Sequence, residues 1–156
     1  MTRVVALGTF DLLHPGHVHY LREAAAAGDE LHVVVANGER VAHKDPILPG
    51  DQRVRTVEAL DPVTAARLGD ADDISVPIRR IDPDVLVLGG DQHHDEARVA
   101  AMLDEWGVEC EVRRASLAEA EGERLHSSSA IVERILAESG GIDSSKRDRA
   151  GEYQQI

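Results

Sequence analysis

Apolar residues in this chain come in short runs that alternate with segments of helical period. The first run is Val4-Val5-Ala6-Leu7; after a loop, apolar positions recur at helical spacing from Val18 to Ala27 and stop at Gly28. That pattern reads as a buried strand, a loop and a helix. A second run, Leu31, Val33, Val34 and Val35 within Glu30 to Asn37, reads as a buried parallel strand. Gly38 to Gly50 is an irregular loop carrying Lys44, Pro46 and Pro49. Asp51 is placed to cap a helix reaching Leu60, with Val54, Val57 and Leu60 on one face. Thr64 to Leu68 reads as a short third strand, and Asp72 to Ile81 holds a short helix after Pro77. Asp84 to Leu88 is another buried strand, ending in Gly89-Gly90-Asp91-Gln92. A helix from about Glu96 to Trp106 and a strand from Val108 to Arg113 follow. One of Ser127, Ser128 and Ser129 caps a final helix, Ala130 to Glu138.

Strands alternating with helices predict an α/β fold, a Rossmann-like doubly wound parallel sheet with right-handed crossovers. Residues 1–139 form a single domain without internal repeats, while residues 140–156 lack an apolar period and read as a mobile tail.

Composition narrows the setting. With 156 residues and 42% hydrophobic content, the chain can bury a core, and no apolar run is long enough for a membrane span. Met1-Thr2-Arg3 leads straight into the first strand without a leader pattern, and Cys110 is the only cysteine. Both features predict a cytoplasmic protein without intrachain disulfides and without a membrane partner. The net charge is −12, and of 17 basic residues only Lys44 and Lys146 are lysines. Such acid-rich, lysine-poor composition resembles that of proteins from hypersaline cytoplasm. It disfavours nucleic acid as a partner, since that affinity rests on Lys and Arg.

The most informative stretch is Gly8-Thr9-Phe10-Asp11-Leu12-Leu13-His14-Pro15-Gly16-His17. It joins the first strand to the first helix. A helix start offers unpaired N–H groups and the positive end of the dipole, which suit a phosphate. Two histidines sit at that start, Pro15 sets the turn, and Gly16 lets backbone approach a ligand. Imidazoles there can donate hydrogen bonds to charge growing on a phosphoryl group. Two histidines alone read as ordinary loop residues; the full string in its strand–loop–helix context sets them apart.

This string resembles the signature of the nucleotidylyltransferase superfamily, and its cytidylyltransferase-like branch in particular: Gly-Thr-Phe-Asp followed by His-x-Gly-His. The resemblance implies that His14 and His17 contact the α-phosphate and its transition state. It extends to Gly90-Asp91 after the fourth strand, where Asp91 would bind ribose or base. It extends also to Arg124-Leu125-His126-Ser127-Ser128-Ser129, where hydroxyls and N–H groups of a helix start would hold the β- and γ-phosphates. Lys44 would bind phosphate, and Arg53 in the next helix would close over the substrate. The residues assigned to ATP on this basis are Thr9, Phe10, His14, Pro15, Gly16, His17, Asp91, Arg124, Ser127 and Ser128, with His14, His17, Lys44 and Arg53 assigned to catalysis.

Within the superfamily, the pattern is similar to that of the archaeal FAD synthetases, with Gln52-Arg53, Val57-Glu58-Ala59-Leu60, Gly89–Gln92 and His126-Ser127-Ser128 recurring. That implies adenylyl transfer from ATP to FMN, giving FAD and pyrophosphate, with Mg²⁺ or another divalent cation accompanying ATP and a homodimer as the expected assembly. Two alternatives stay open. One is a glycerol-phosphate cytidylyltransferase or another enzyme acting on a small phosphorylated acceptor, because the chain has few aromatic residues to stack a flavin. The other is a nucleotide-binding sensor, against which the paired histidines argue. Gly90-Asp91-Gln92-His93 lacks the second acid and the tryptophan of the glycerol-phosphate enzymes, and Gly90 is expected to leave room for a purine. His93-His94-Asp95 reads as a loop before a helix cap rather than a metal site. His19, His32 and His43 read as structural or solvated, and Cys110 as a small core residue.

Overall fold

The computed structural model describes residues 1–41, 45–118 and 126–139. Strands β1 (Arg3–Gly8), β2 (Glu30–Val35), β3 (Ala65–Leu68), β4 (Val85–Leu88) and β5 (Glu111–Arg114) form one sheet in the order β3-β2-β1-β4-β5. Every neighbouring pair is parallel. Helices α1 (Pro15–Ala25), α2 (Gly50–Glu58), α3 (Ser75–Ile81), α4 (Glu96–Glu105) and α5 (Ser128–Ser139) complete the chain. The doubly wound parallel sheet predicted from the alternation is the fold observed.

Its central strand explains the sequence pattern. Val4 and Ala6 face a core shared with Tyr20, Leu21 and Ala24 of α1 and Val57 of α2. Val5 faces the opposite core, with Ile78 and Ile81 of α3 and Leu103 of α4. Both faces are covered, so β1 is a continuous apolar run rather than an alternating one. Winding runs outward from β1 to β2 and β3, and in the other direction through β4 and β5. The reversal lies between β1 and β4, where a doubly wound sheet opens a crevice at its carboxyl edge.

Several boundaries differ from the sequence expectation, each for a local reason. Helix α1 starts at Pro15, three residues before the apolar period, because proline fits the first helical turn. Helix α2 starts at Gly50 after Pro49, without a side-chain cap, so Asp51 lies inside the first turn and favours the dipole there instead of capping. Pro77 lies within α3, in the first turn, where a missing N–H costs nothing. Strand β5 begins at Glu111; Val108 is buried ahead of it, and Cys110 is half-buried beside it rather than in the core. Burial pushes the Cys110 thiol up to about 11, which makes it a poor nucleophile. Asp95 caps α4, accepting from the backbone N–H groups of Ala97 and Arg98, as its loop reading implied. The proposed tail, Lys44 and Arg124 lie outside the described residues.

Candidate active site

The loop between β1 and α1 is built around its own side chains. Phe10 holds a positive φ of 50°, a conformation uncommon for a residue with a side chain, and its ring is 2% exposed. The ring stacks on Tyr20 at 6.3 Å and tilts against His17 at 5.3 Å. So Phe10 serves the core, leaving its backbone as the part that can meet a nucleotide. His14 is the N-cap of α1: its Nδ1 accepts from the Gly16 N–H at 3.1 Å. That bond assigns the ring proton of neutral His14 to Nε2. Gly16 has no room for a side chain, since a Cβ would meet His14 Nδ1 at 2.9 Å and the His126 carbonyl at 3.0 Å.

His14 and His17 lie with ring centroids 3.8 Å apart, on a helix start that has no acidic residue in its first turn. Burial, then the nearby His14, push His17 down to about 4, against the opposing pull of Asp91 and Asp11. Burial also lowers His14, with His126 adding to the effect. Both rings are therefore neutral at pH 7. They can donate N–H to a phosphoryl oxygen but bring no fixed positive charge. The α1 dipole supplies positive potential at this point.

The crevice between β1 and β4 has a polar floor that sequence reasoning missed. The Tyr20 hydroxyl donates to the Val87 carbonyl at 2.5 Å and accepts from the Leu7 N–H at 3.2 Å. Gln92 completes the bridge: its Nε2 donates to the Leu7 carbonyl at 2.8 Å, and its Oε1 accepts from the Gly89 N–H at 3.0 Å. These groups take over the ladder bonds where the last β1–β4 register pair is Ala6 with Val87. Arg114 steadies the following loop, donating to the carbonyls of Gly89, Gln92 and His94. Asp91 stands exposed beside this floor, near enough to raise the basicity of both histidines. Gly90 does not open space for a base. A Cβ there would meet the Ala115 carbonyl at 2.9 Å and the Leu117 N–H nitrogen at 3.0 Å, so its glycine serves close chain packing.

Arg53 is 1% exposed and is spent on backbone: it donates to the carbonyls of Leu48 at 2.9 Å, Thr9 at 2.7 Å and Ala36 at 2.9 Å. It ties the loops after β1 and β2 together, and in this geometry it does not reach over the crevice. Asp11, also missed, supports the same loop by accepting from the N–H groups of Ile47 and Leu48 at 2.9 and 2.8 Å. A motif position between Phe10 and Leu12 was the available signal. Of the serines, Ser127 is the N-cap of α5, accepting from the Ala130 N–H at 3.1 Å. Ser128 donates to the Leu12 carbonyl at 3.1 Å, which fastens the start of α5 to the motif loop. The structure thus brings together Thr9, His14, Pro15, Gly16, His17, Asp91, Ser127 and Ser128 around one carboxyl edge. Among the described residues, no three potential metal ligands converge, and no helix is long and apolar enough to cross a membrane.

This arrangement has relatives. Residues 5–134 match the family model described as cytidylyltransferase-like. The FAD synthase of Halorhabdus utahensis is 62% identical over 139 residues, covering 87% of this chain and 97% of its own. That of Halomicrobium mukohataei is 59% identical over 136 residues, covering 86% and 95%. Among solved structures, the lipopolysaccharide core biosynthesis protein of Thermoplasma volcanium superposes with a TM-score of 0.73 at 36% identity, over 76% of this chain and 99% of that one. The pantoate-beta-alanine ligase of Francisella tularensis shares the fold alone, with a TM-score of 0.59 at 12% identity over 99% of this chain and 71% of that one. With its motif loop, its switch-point crevice and this extent of likeness, the chain belongs to the cytidylyltransferase-like family.

Proposed function

We propose that this enzyme transfers AMP from ATP to FMN, giving FAD and pyrophosphate. The observation that carries the reading is the pair of neutral imidazoles at the α1 start, 3.8 Å apart, facing the switch-point crevice. The FAD synthases, at 54–62% identity over most of the chain, supply the acceptor. A phosphate oxygen of FMN attacks the α-phosphorus in line; the bond from that phosphorus to the β-bridging oxygen breaks, and pyrophosphate leaves with the electron pair. No covalent enzyme intermediate is needed. The chain contributes position and charge neutralisation. His14 donates from Nε2, its Nδ1 being occupied by Gly16. His17, neutral, stands beside it and donates to the charge that builds on the phosphoryl oxygens.

The other roles follow from position. Asp91, exposed on the crevice rim, takes the ribose or base. The N–H groups at the start of α5 take the β- and γ-phosphates, because the hydroxyls of Ser127 and Ser128 already cap and anchor that helix. Lys44, at the position of the family's phosphate-binding lysine, is assigned to catalysis, and Arg124, where family members often carry an arginine, to ATP, both by that resemblance alone. A divalent cation accompanying ATP would add charge neutralisation at the phosphates beside the α1 and α5 starts. Arg53 and Asp11 act on this chemistry by holding the loops, not by touching the substrate. The test is incubation of the purified chain with MgATP and FMN, reading FAD by chromatography and pyrophosphate by a coupled assay. Stoichiometric formation of both supports the reading, and pyrophosphate release with another phosphorylated acceptor in place of FMN would replace it.

A further inference from the structure

We propose that His126 is a third imidazole of the reaction centre, donating a hydrogen bond to the terminal phosphates of the bound triphosphate. The inference rests on the reading that the site takes a nucleoside triphosphate, and it is independent of the acceptor. Three observations carry it. First, His126 directly precedes Ser127, the N-cap of α5, and the Ser128 hydroxyl fastens that helix start to the Leu12 carbonyl of the motif loop at 3.1 Å. Second, its carbonyl lies 3.0 Å from where a Cβ on Gly16 would be, so the residue packs directly behind the His-Pro-Gly-His turn. Third, both ring nitrogens of His126 are shielded from solvent and have no hydrogen-bond partner among the described residues.

Buried polar groups in folded proteins are paired almost without exception, and those that are not mark a ligand or a strained site. Several polar atoms near His126 are already paired. His14 Nδ1 accepts from Gly16, Ser127 Oγ accepts from Ala130, and Ser128 Oγ donates to Leu12. At His17 only Nδ1 is both shielded and unpaired, whereas at His126 both nitrogens are. A neutral imidazole always carries one N–H, so His126 has a donor to give and an acceptor to receive. An anion satisfies the donor, and the α5 start beside it supplies backbone N–H groups and a positive dipole for the same charge. The lowering of His14 by His126 is a second sign that the two rings share one site. The ligand class is a linear polyphosphate: the β- and γ-groups that AMP lacks.

The experiment titrates the full chain calorimetrically with inorganic triphosphate and, separately, with AMP, in one KCl buffer. His126→Ala is expected to weaken triphosphate binding at least tenfold and to leave AMP binding within twofold of the wild type. His126→Gln, which keeps a side-chain donor, is expected to stay within about threefold of the wild type for triphosphate. Unchanged triphosphate affinity in His126→Ala overturns the proposal, and so does an equal loss for AMP, which marks a structural role. A wild-type measurement covers the case of a variant that does not fold: the His126 ring nitrogen resonances should shift with triphosphate and not with AMP, and resonances that stay still overturn the proposal. FMN is absent from every mixture. A chain that binds triphosphate through His126 yet makes no FAD would keep this inference and remove the acceptor.

Discussion

Acidifying the protein from pH 7 to 4.5 tests whether His17 is held neutral. In the unfolded chain a histidine takes a proton near pH 6.5. In the folded protein, burial and His14 hold His17 at about 4. Between those values the unfolded state binds a proton that the native state refuses. Stability contributed by this group is therefore complete above pH 6.5, falls as pH drops, and reaches its floor below about pH 4. The full span corresponds to about 3 kcal/mol, of which about 2.5 kcal/mol is already lost at pH 4.5. Carboxylates also change protonation over this range, so the useful quantity is a difference. Urea unfolding of the wild type and of His17→Gln, at pH 7 and 4.5 in molar KCl, isolates the histidine because the carboxylates are common to both. The wild type should lose about 2 to 3 kcal/mol more than the variant on acidification. Equal losses would show that His17 protonates as easily in the folded state as in the unfolded one. That result would refute the account of His17 as a neutral donor.

Three further outcomes follow from the site's framework. Arg53→Met should cost about 3–5 kcal/mol in urea unfolding, since it strips charge-assisted bonds from three backbone carbonyls, and Arg53→Lys should recover only part, because one ammonium cannot fork to all three. Tyr20→Phe should cost about 1–3 kcal/mol by leaving the buried Val87 carbonyl without its donor, measured by the same unfolding series. With a net charge of −12, the Tm should rise with KCl into the molar range in differential scanning fluorimetry, and a flat or falling Tm would contradict the role given to self-repulsion.

Much of this protein was legible before its structure, for physical reasons that differ by residue. Val4 to Leu7 and Val85 to Leu88 announce themselves because strands covered on both faces carry no polar interruptions. The histidine turn was legible as a ten-residue string, and its strand–loop–helix setting followed from the flanking periods. Helix starts were read less well. Pro15 and Gly50 open helices ahead of the apolar period, and periodicity cannot register a first turn that faces solvent or ligand. The largest misreadings concern side chains whose partners are distant in sequence. Arg53 has the composition of a solvated helix residue or a substrate clamp, yet it bonds three carbonyls drawn from the loops after β1 and β2. Gly90 suggested room, whereas backbone following β5 fills it. Tyr20, Gln92 and Asp11 bond across 13, 85 and 37 residues respectively, separations that no local pattern encodes.

The central claim is tested most directly by steady-state kinetics with saturating FMN and either MgATP or MgCTP, on the wild type and on His17→Ala. Wild-type enzyme should form FAD with ATP preferred over CTP by at least about tenfold in kcat/KM, roughly 1.4 kcal/mol of discrimination. His17→Ala should bind ATP nearly unchanged while losing about 10²–10³ in kcat. CTP used as well as ATP, no FAD formed, or near wild-type turnover in His17→Ala would each contradict the account.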